Sequence, residues 1–131
     1  MAKLKLKLVQ KLPSNHPAEM ITIYPYVFTK HDVLKMFKDN PHNKTLINML
    51  RHECIHLQQQ KEMLVIFAYI LYFIEWVVKS MLLFSFDKGR YAVSFEQEAY
   101  RNQADSLYLE DRKHFAFFKY IFSLNIDYIF E

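Results

Sequence analysis

The sequence predicts an α+β protein, mostly α, with short antiparallel strands at the N-terminal side followed by a helical core. Three observations carry that expectation. Residues 3–10, Lys-Leu-Lys-Leu-Lys-Leu-Val-Gln, alternate strictly between polar and apolar until the last pair, the period of a half-buried strand. Between Pro41 and Gly89 the chain contains neither Gly nor Pro, which suits long helices. One Gly and four Pro in 131 residues leave too little turn chemistry for a many-stranded fold. The length corresponds to a single domain, 1–131, with a small sheet in 1–28 and the helical core in 44–122.

Taken in order, the lysines of the first strand face water and discourage pairing with other chains. Pro13 to Pro17 form a loop. Met20-Ile21-Thr22-Ile23-Tyr24 reads as a second strand that ends at Pro25 and pairs with the first. A short helix is expected from Thr29, as its cap, to Lys38. Asp39 to Asn43 is a turn, with Asn43 placed to cap a central helix running from Lys44 to Glu62. Met63 to Ile74 is an unbroken apolar run that continues past Glu75 and Lys79 to Phe86. Three readings fit this run: a buried core helix, an apolar face docking on a membrane or a partner, or a membrane span. The two charges would each cost about 2.5–3.5 kcal/mol on insertion scales, and less if they pair at i, i+4. Phe86 to Arg90 holds the only glycine and reads as a turn. Ser94 is placed to cap a helix running toward Arg112, with acidic residues in its first turn. His114 to Phe122 is aromatic-rich and is expected to be helical and to pack back on the body.

Composition narrows the function classes. Hydrophobic residues make up 52% of the chain and aromatics 17%, with 12 Phe and 9 Tyr, which excludes disorder. A formal charge of +3, with no basic stripe carrying interleaved aromatics, argues against nucleic acid as a partner. The single cysteine, Cys54, rules out an intrachain disulfide and fits a reducing, cytoplasmic compartment. Met1 to Pro13 lacks the continuous apolar run of a secretory signal. His16, His31 and His42 have no partner at a ligand spacing and read as surface histidines.

The chemistry concentrates at His52-Glu53-Cys54-Ile55-His56. On a helix, positions i and i+4 share a face, so both imidazoles can take neighbouring corners of a zinc tetrahedron. Glu53 then flanks the open corner, where a carboxylate can take a proton from water. Cys54 points off that face and reads as a small core residue. Gln59 and Gln60 follow His56 by three and four positions. They are read either as hydrogen-bonding partners that hold a ligand in orientation from behind or as solvated side chains.

A catalytic zinc site needs a third protein ligand. With Phe95-Glu96-Gln97-Glu98-Ala99-Tyr100 added, the chain resembles the gluzincin class of zinc metallopeptidases, in which H-E-x-x-H on one helix is followed by a ligating Glu on a later one. It is similar, too, to small bacterial proteins that carry H-E-x-x-H-x-x-Q and a later F-E-x-E-A-Y. The resemblance spans roughly Leu46 to Asn102 and implies a zincin-like core with a sheet edge beside the metal-binding helix. It implies Zn2+ held by His52, His56 and Glu96, with Glu53 as general base. Glu98 is the rival third ligand; it points roughly 200° from Glu96 around a regular helix. Tyr100 stands where the better-known peptidases often carry Asp or Asn, so that supporting interaction is absent or altered; Tyr100 itself is a candidate to contact a ligand from behind, and Tyr91, Tyr100 and Tyr108 are candidate phenol donors.

Geometry attaches a condition. In one straight helix His56 and Phe86 would be about 45 Å apart, whereas ten extended residues reach back at most ~36 Å. A glutamate ligand therefore requires a break between about 60 and 85. The resulting expectation is a zinc-dependent hydrolase acting on a peptide or protein. The alternative is a non-catalytic helical protein that binds a membrane or a larger protein assembly through residues 63–86.

Overall fold

The computed structural model describes residues 7–9, 20–29 and 33–130. Lys3 to Leu6, the 13–17 loop, His16 and His31 lie outside the described residues. The expected class is found: a small sheet followed by a helical body. The sheet comprises β1 (Lys7–Val9), β2 (Met20–Ile23) and β3 (Tyr26–Thr29), in the order β1-β3-β2. β2 and β3 are antiparallel, with Met20 opposite Thr29 and Ile23 opposite Tyr26. β1 runs parallel to β3, with Lys7 opposite Tyr26. The first two strands therefore do not pair with each other, because Tyr-Val-Phe-Thr forms a strand between them. Thr29, expected to cap a helix, is instead the buried end of β3, and helix α1 (Val33–Asp39) starts later.

Helix α2 (Lys44–Glu62) has the expected bounds, and Asn43 caps it by accepting from the Leu46 amide at 3.2 Å. One face packs inward through Leu46, Leu50, Cys54, Ile55 and Leu57. Gln60 ties the helix to the outer edge of β2. Its amide group donates to the Thr22 carbonyl at 2.8 Å and accepts from the Tyr24 amide at 2.7 Å. A side chain thus stands in for a missing strand partner and closes the edge.

The break that the geometry demanded lies at Met63–Val65. Leu64 and Val65 have φ of 55° and 62°. The Ile66 amide donates to the Leu64 carbonyl at 2.7 Å, a γ-turn centred on a β-branched residue. The chain reverses there into α3 (Ile66–Leu83), reverses again at Phe84, and enters α4 (Phe86–Ala92) and α5 (Ser94–Asn102). A short α6 (Tyr108–Asp111) and two 3-10 turns, Ala116–Tyr120 and Asp127–Phe130, complete the body. The helix expected to run on to Arg112 therefore stops at Asn102. The aromatic tail does pack back. Phe117, fully buried, joins Ala68, Val93 and Phe95 in one cluster, with Trp76 and Ile121 against it.

Glu75 and Lys79, the two charges in the apolar run, pair at 3.0 Å and point inward. Glu75 accepts from the backbone and hydroxyl of Ser94 at 3.0 and 2.6 Å, while Lys79 donates to the Ala92 carbonyl at 2.7 Å. Ser94 is therefore the first residue of α5 and not its cap; a carboxylate from α3 supplies the cap. The run is not a buried core helix either, since only Ala68, Glu75, Lys79 and Ser80 of the 18 residues in α3 are buried.

Gly89, expected in a turn, sits inside α4. A Cβ there would lie 2.0 Å from Ser80 Oγ and 2.6 Å from Ser80 Cα, so the glycine allows α3 and α4 to touch backbone to backbone. Gly89→Ala is expected to destabilise the fold by about 3 kcal/mol, because behind the Ser80 hydroxyl stand main-chain atoms of Ser80 that cannot rotate away. Urea unfolding of the variant beside wild type measures this, and an unchanged midpoint would contradict the close approach.

Candidate metal centre

The reversal after α2 brings α5 back across it and sets three ligand-type atoms together. His56 Nε2 lies 3.1 Å from His52 Nε2 and 2.8 Å from Glu96 Oε1, and His52 Nε2 lies 3.3 Å from the same oxygen. Bonds of 2.0–2.1 Å to a tetrahedral ion place its ligand atoms about 3.3 Å apart, so this triangle has the size of one face of a zinc tetrahedron. Among the described residues, these three form the group able to hold a metal ion.

Both rings are held by their other nitrogen. His56 Nδ1 is 2.8 Å from Gln59 Oε1, and His52 Nδ1 is 2.9 Å from Gln103 Oε1. The Gln59 amide cannot turn over, because its nitrogen donates to the Phe95 carbonyl and to Glu98 Oε1, each at 3.0 Å. Its oxygen must therefore face His56 and accept the Nδ1 proton, so that Nε2 is the nitrogen turned into the triangle. Glu96 is held in the same way. Tyr72 donates to Oε2 at 3.0 Å and Arg90 approaches that atom at 3.5 Å, while Oε1 faces the imidazoles.

Electrostatics bind the group together. Burial disfavours a charged His56, but the Glu96 carboxylate and its hydrogen bond outweigh burial and hold the imidazole up at about 9. Burial likewise works against a charged Glu96, and the two imidazoles overcome it, placing the carboxyl well below the ordinary range. A cation binding here would take the place of that proton on His56, since an imidazole ligates only when neutral. Burial, followed by the charge of Glu53, pushes the Cys54 thiol up to about 12, so it is inert and belongs to the core as expected.

Glu53 faces the cleft beside the triangle, where the Thr22 hydroxyl of β2 donates to its Oε2. The sheet edge thus positions the carboxylate beside the His52–His56–Glu96 triangle. The cleft has a volume of about 1030 Å3 and is walled by Met20 and Ile21 of β2, by Tyr69, Phe73 and Trp76 of α3, and by Arg90 and Tyr100. Tyr100 packs its ring on His52, with centroids 4.3 Å apart.

Glu98, the rival ligand, points away and is fully buried against Arg112 and Tyr108, at 2.5 and 2.7 Å. Tyr108 is thereby committed to Glu98 and lies off the cleft lining, while Tyr91 packs on Tyr100 with centroids 5.4 Å apart. Of the candidate phenols, Tyr100 lines the cleft. Gln59 orients a histidine, whereas Gln60 serves the sheet. His42 is exposed, as expected. Sequence reasoning missed Tyr72, Arg90, Gln103 and Thr22. Tyr72 lies within an apolar run, where nothing marks its hydroxyl, and no spacing links the other three to the motif. Compared with protein-family models, with curated proteins and with solved structures, the chain matches none.

Proposed function

We propose that this chain is a zinc-dependent hydrolase acting on peptide bonds, with His52, His56 and Glu96 as the metal ligands. The observation that carries the reading is the triangle of His52 Nε2, His56 Nε2 and Glu96 Oε1 at tetrahedral spacing, with the Glu53 carboxylate flanking it on one cleft. The gluzincin resemblance supports it, since the same residues fill the roles that class assigns. When bound, zinc supplies Lewis acidity, polarising a carbonyl and acidifying water.

The remaining steps belong to the chain. Glu53, oriented by Thr22, takes a proton from the attacking water and passes it to the leaving amine. Gln59 and Gln103 keep both imidazoles in the ligating tautomer. Tyr100 and Arg90 line the same cleft and are placed to donate to oxyanion character on the substrate. The apolar wall of Met20, Ile21 and Phe73 receives the side chains flanking the scissile bond.

Elemental analysis of the purified full chain tests the reading. Wild type is expected to hold about one zinc per chain, and His56→Ala and Glu96→Ala to lose it, because two remaining ligands cannot close the site. Zinc-loaded wild type is expected to cleave denatured casein and to stop on chelation. Wild type that takes up no zinc on reconstitution overturns the proposal.

A further inference from the structure

We infer that the outward face of α3 docks in the plane of a lipid bilayer and presents the cleft to polypeptide segments lying at that surface; the substrate half of this inference rests on the hydrolase reading above. Ile66, Phe67, Ile70, Ile74, Met81 and Leu82 are between 49% and 67% exposed. At 100° per residue, the exposed positions of α3 from Phe73 round to Leu82 sweep roughly 180° of the helix, and Tyr69 lies at the rim beyond the buried Ser80. No charge interrupts that arc, because Glu75 and Lys79 are turned inward at 6% and 4% exposure. Apolar exposure continues past both ends, to Leu64 at 72% and Phe84 at 95%. Exposed charges resume only at Lys61 before the helix and at Asp87 and Lys88 after it.

The width of the arc selects the occupant. A helix packing on one neighbour buries a stripe of about 100°, so a second copy of this chain would leave half of the face in water. Acyl chains conform to any curvature and cover the whole arc. The helix is about 27 Å long, close to the ~30 Å of a hydrocarbon core, but the other elements of the domain prevent it from spanning. Its inner side is covered by α4 and α5, which carry exposed Asp87, Lys88 and Arg101, so immersion stops at the outer half of the helix. Tyr69 and Phe73 belong both to this face and to the cleft lining, so the mouth of the cleft opens at the membrane surface.

Flotation of the full chain with phosphatidylcholine–phosphatidylglycerol vesicles tests the docking. Wild type is expected to float. Ile74→Glu and Met81→Glu, at positions 51% and 67% exposed, are each expected to lower the vesicle partition coefficient about tenfold while zinc content and circular dichroism stay unchanged. His56→Ala and Glu96→Ala are expected to float like wild type, which separates docking from the metal reading. Wild type left at the bottom of the gradient overturns the inference. So does a dimer that Met81→Glu dissociates without any vesicle binding, since a second copy would then be the occupant. For the substrate half, one peptide is presented to zinc-loaded protein with and without an acyl anchor on the vesicles. Cleavage about tenfold faster in the anchored form is expected from the raised local concentration. Equal rates overturn that half; no cleavage of either form by a floating, zinc-loaded protein overturns the hydrolase reading and leaves the docking standing.

Discussion

Glu53→Gln is expected to lower hydrolysis by about 10²–10⁴-fold while zinc content stays at the wild-type level. The amide is nearly isosteric and can still accept from the Thr22 hydroxyl, so the cleft keeps its shape. It cannot take a proton at neutral pH, and that is the only property removed. The paired readout matters because Glu53 is not one of the three atoms of the metal triangle. A loss of both zinc and activity would place the residue among the ligands. Activity retained with zinc bound would remove it from the proton-transfer role altogether.

Arg112→Met is expected to destabilise the fold by about 3–5 kcal/mol at neutral pH, the cost of stripping the partner from buried charges. The guanidinium, 4% exposed, forks onto both oxygens of Glu62 at 2.9 Å and onto Glu98 at 2.5 and 3.1 Å. Methionine fills the volume but leaves two buried carboxylates facing each other. The pH dependence follows from Glu62. Burial raises its pKa, but the hydrogen bonds from Arg112 and from the Phe115 amide outweigh burial and lower it below the ordinary 4.5. A carboxyl depressed in the folded state contributes its full stability above the unfolded value. That contribution fades as pH falls through the folded one. Wild type is thus expected to lose stability in acid while the variant, lacking the depression, loses less. The gap between their urea midpoints should narrow from pH 7 to pH 4. A constant gap would mean that Arg112 acts by packing alone.

The same network reaches the candidate metal centre. Arg112 holds Glu98, Glu98 accepts from Gln59, and Gln59 fixes the Nδ1 proton of His56. The glutamate weighed as a rival ligand is therefore two hydrogen bonds from His56, whose ring orientation it supports through Gln59.

Much of the site was legible without coordinates, because its information is local. The i, i+4 pairing of His52 and His56 follows from helical pitch, and the capping of α2 by Asn43 from side-chain chemistry at one turn. The angular offset between Glu96 and Glu98 likewise follows from pitch alone, so only one of them could face the histidines. Even the need for a break between 60 and 85 came from chain reach.

What only the tertiary structure decided is how that break is made and what it brings together. A turn at Leu64–Val65 with positive φ and no glycine has no local signal; it persists because α2 and α3 are held on both sides of it. Gly89 reads locally as a turn, yet its role is set by Ser80 across the helix pair. Gln103 finds His52 across 51 residues, which no periodicity encodes. Hydropathy along α3 likewise reported that the helix is apolar, but not that its two charges would turn inward and leave the apolar arc outside. Local steric rules act over one turn of chain, whereas these choices depend on which distant surfaces meet.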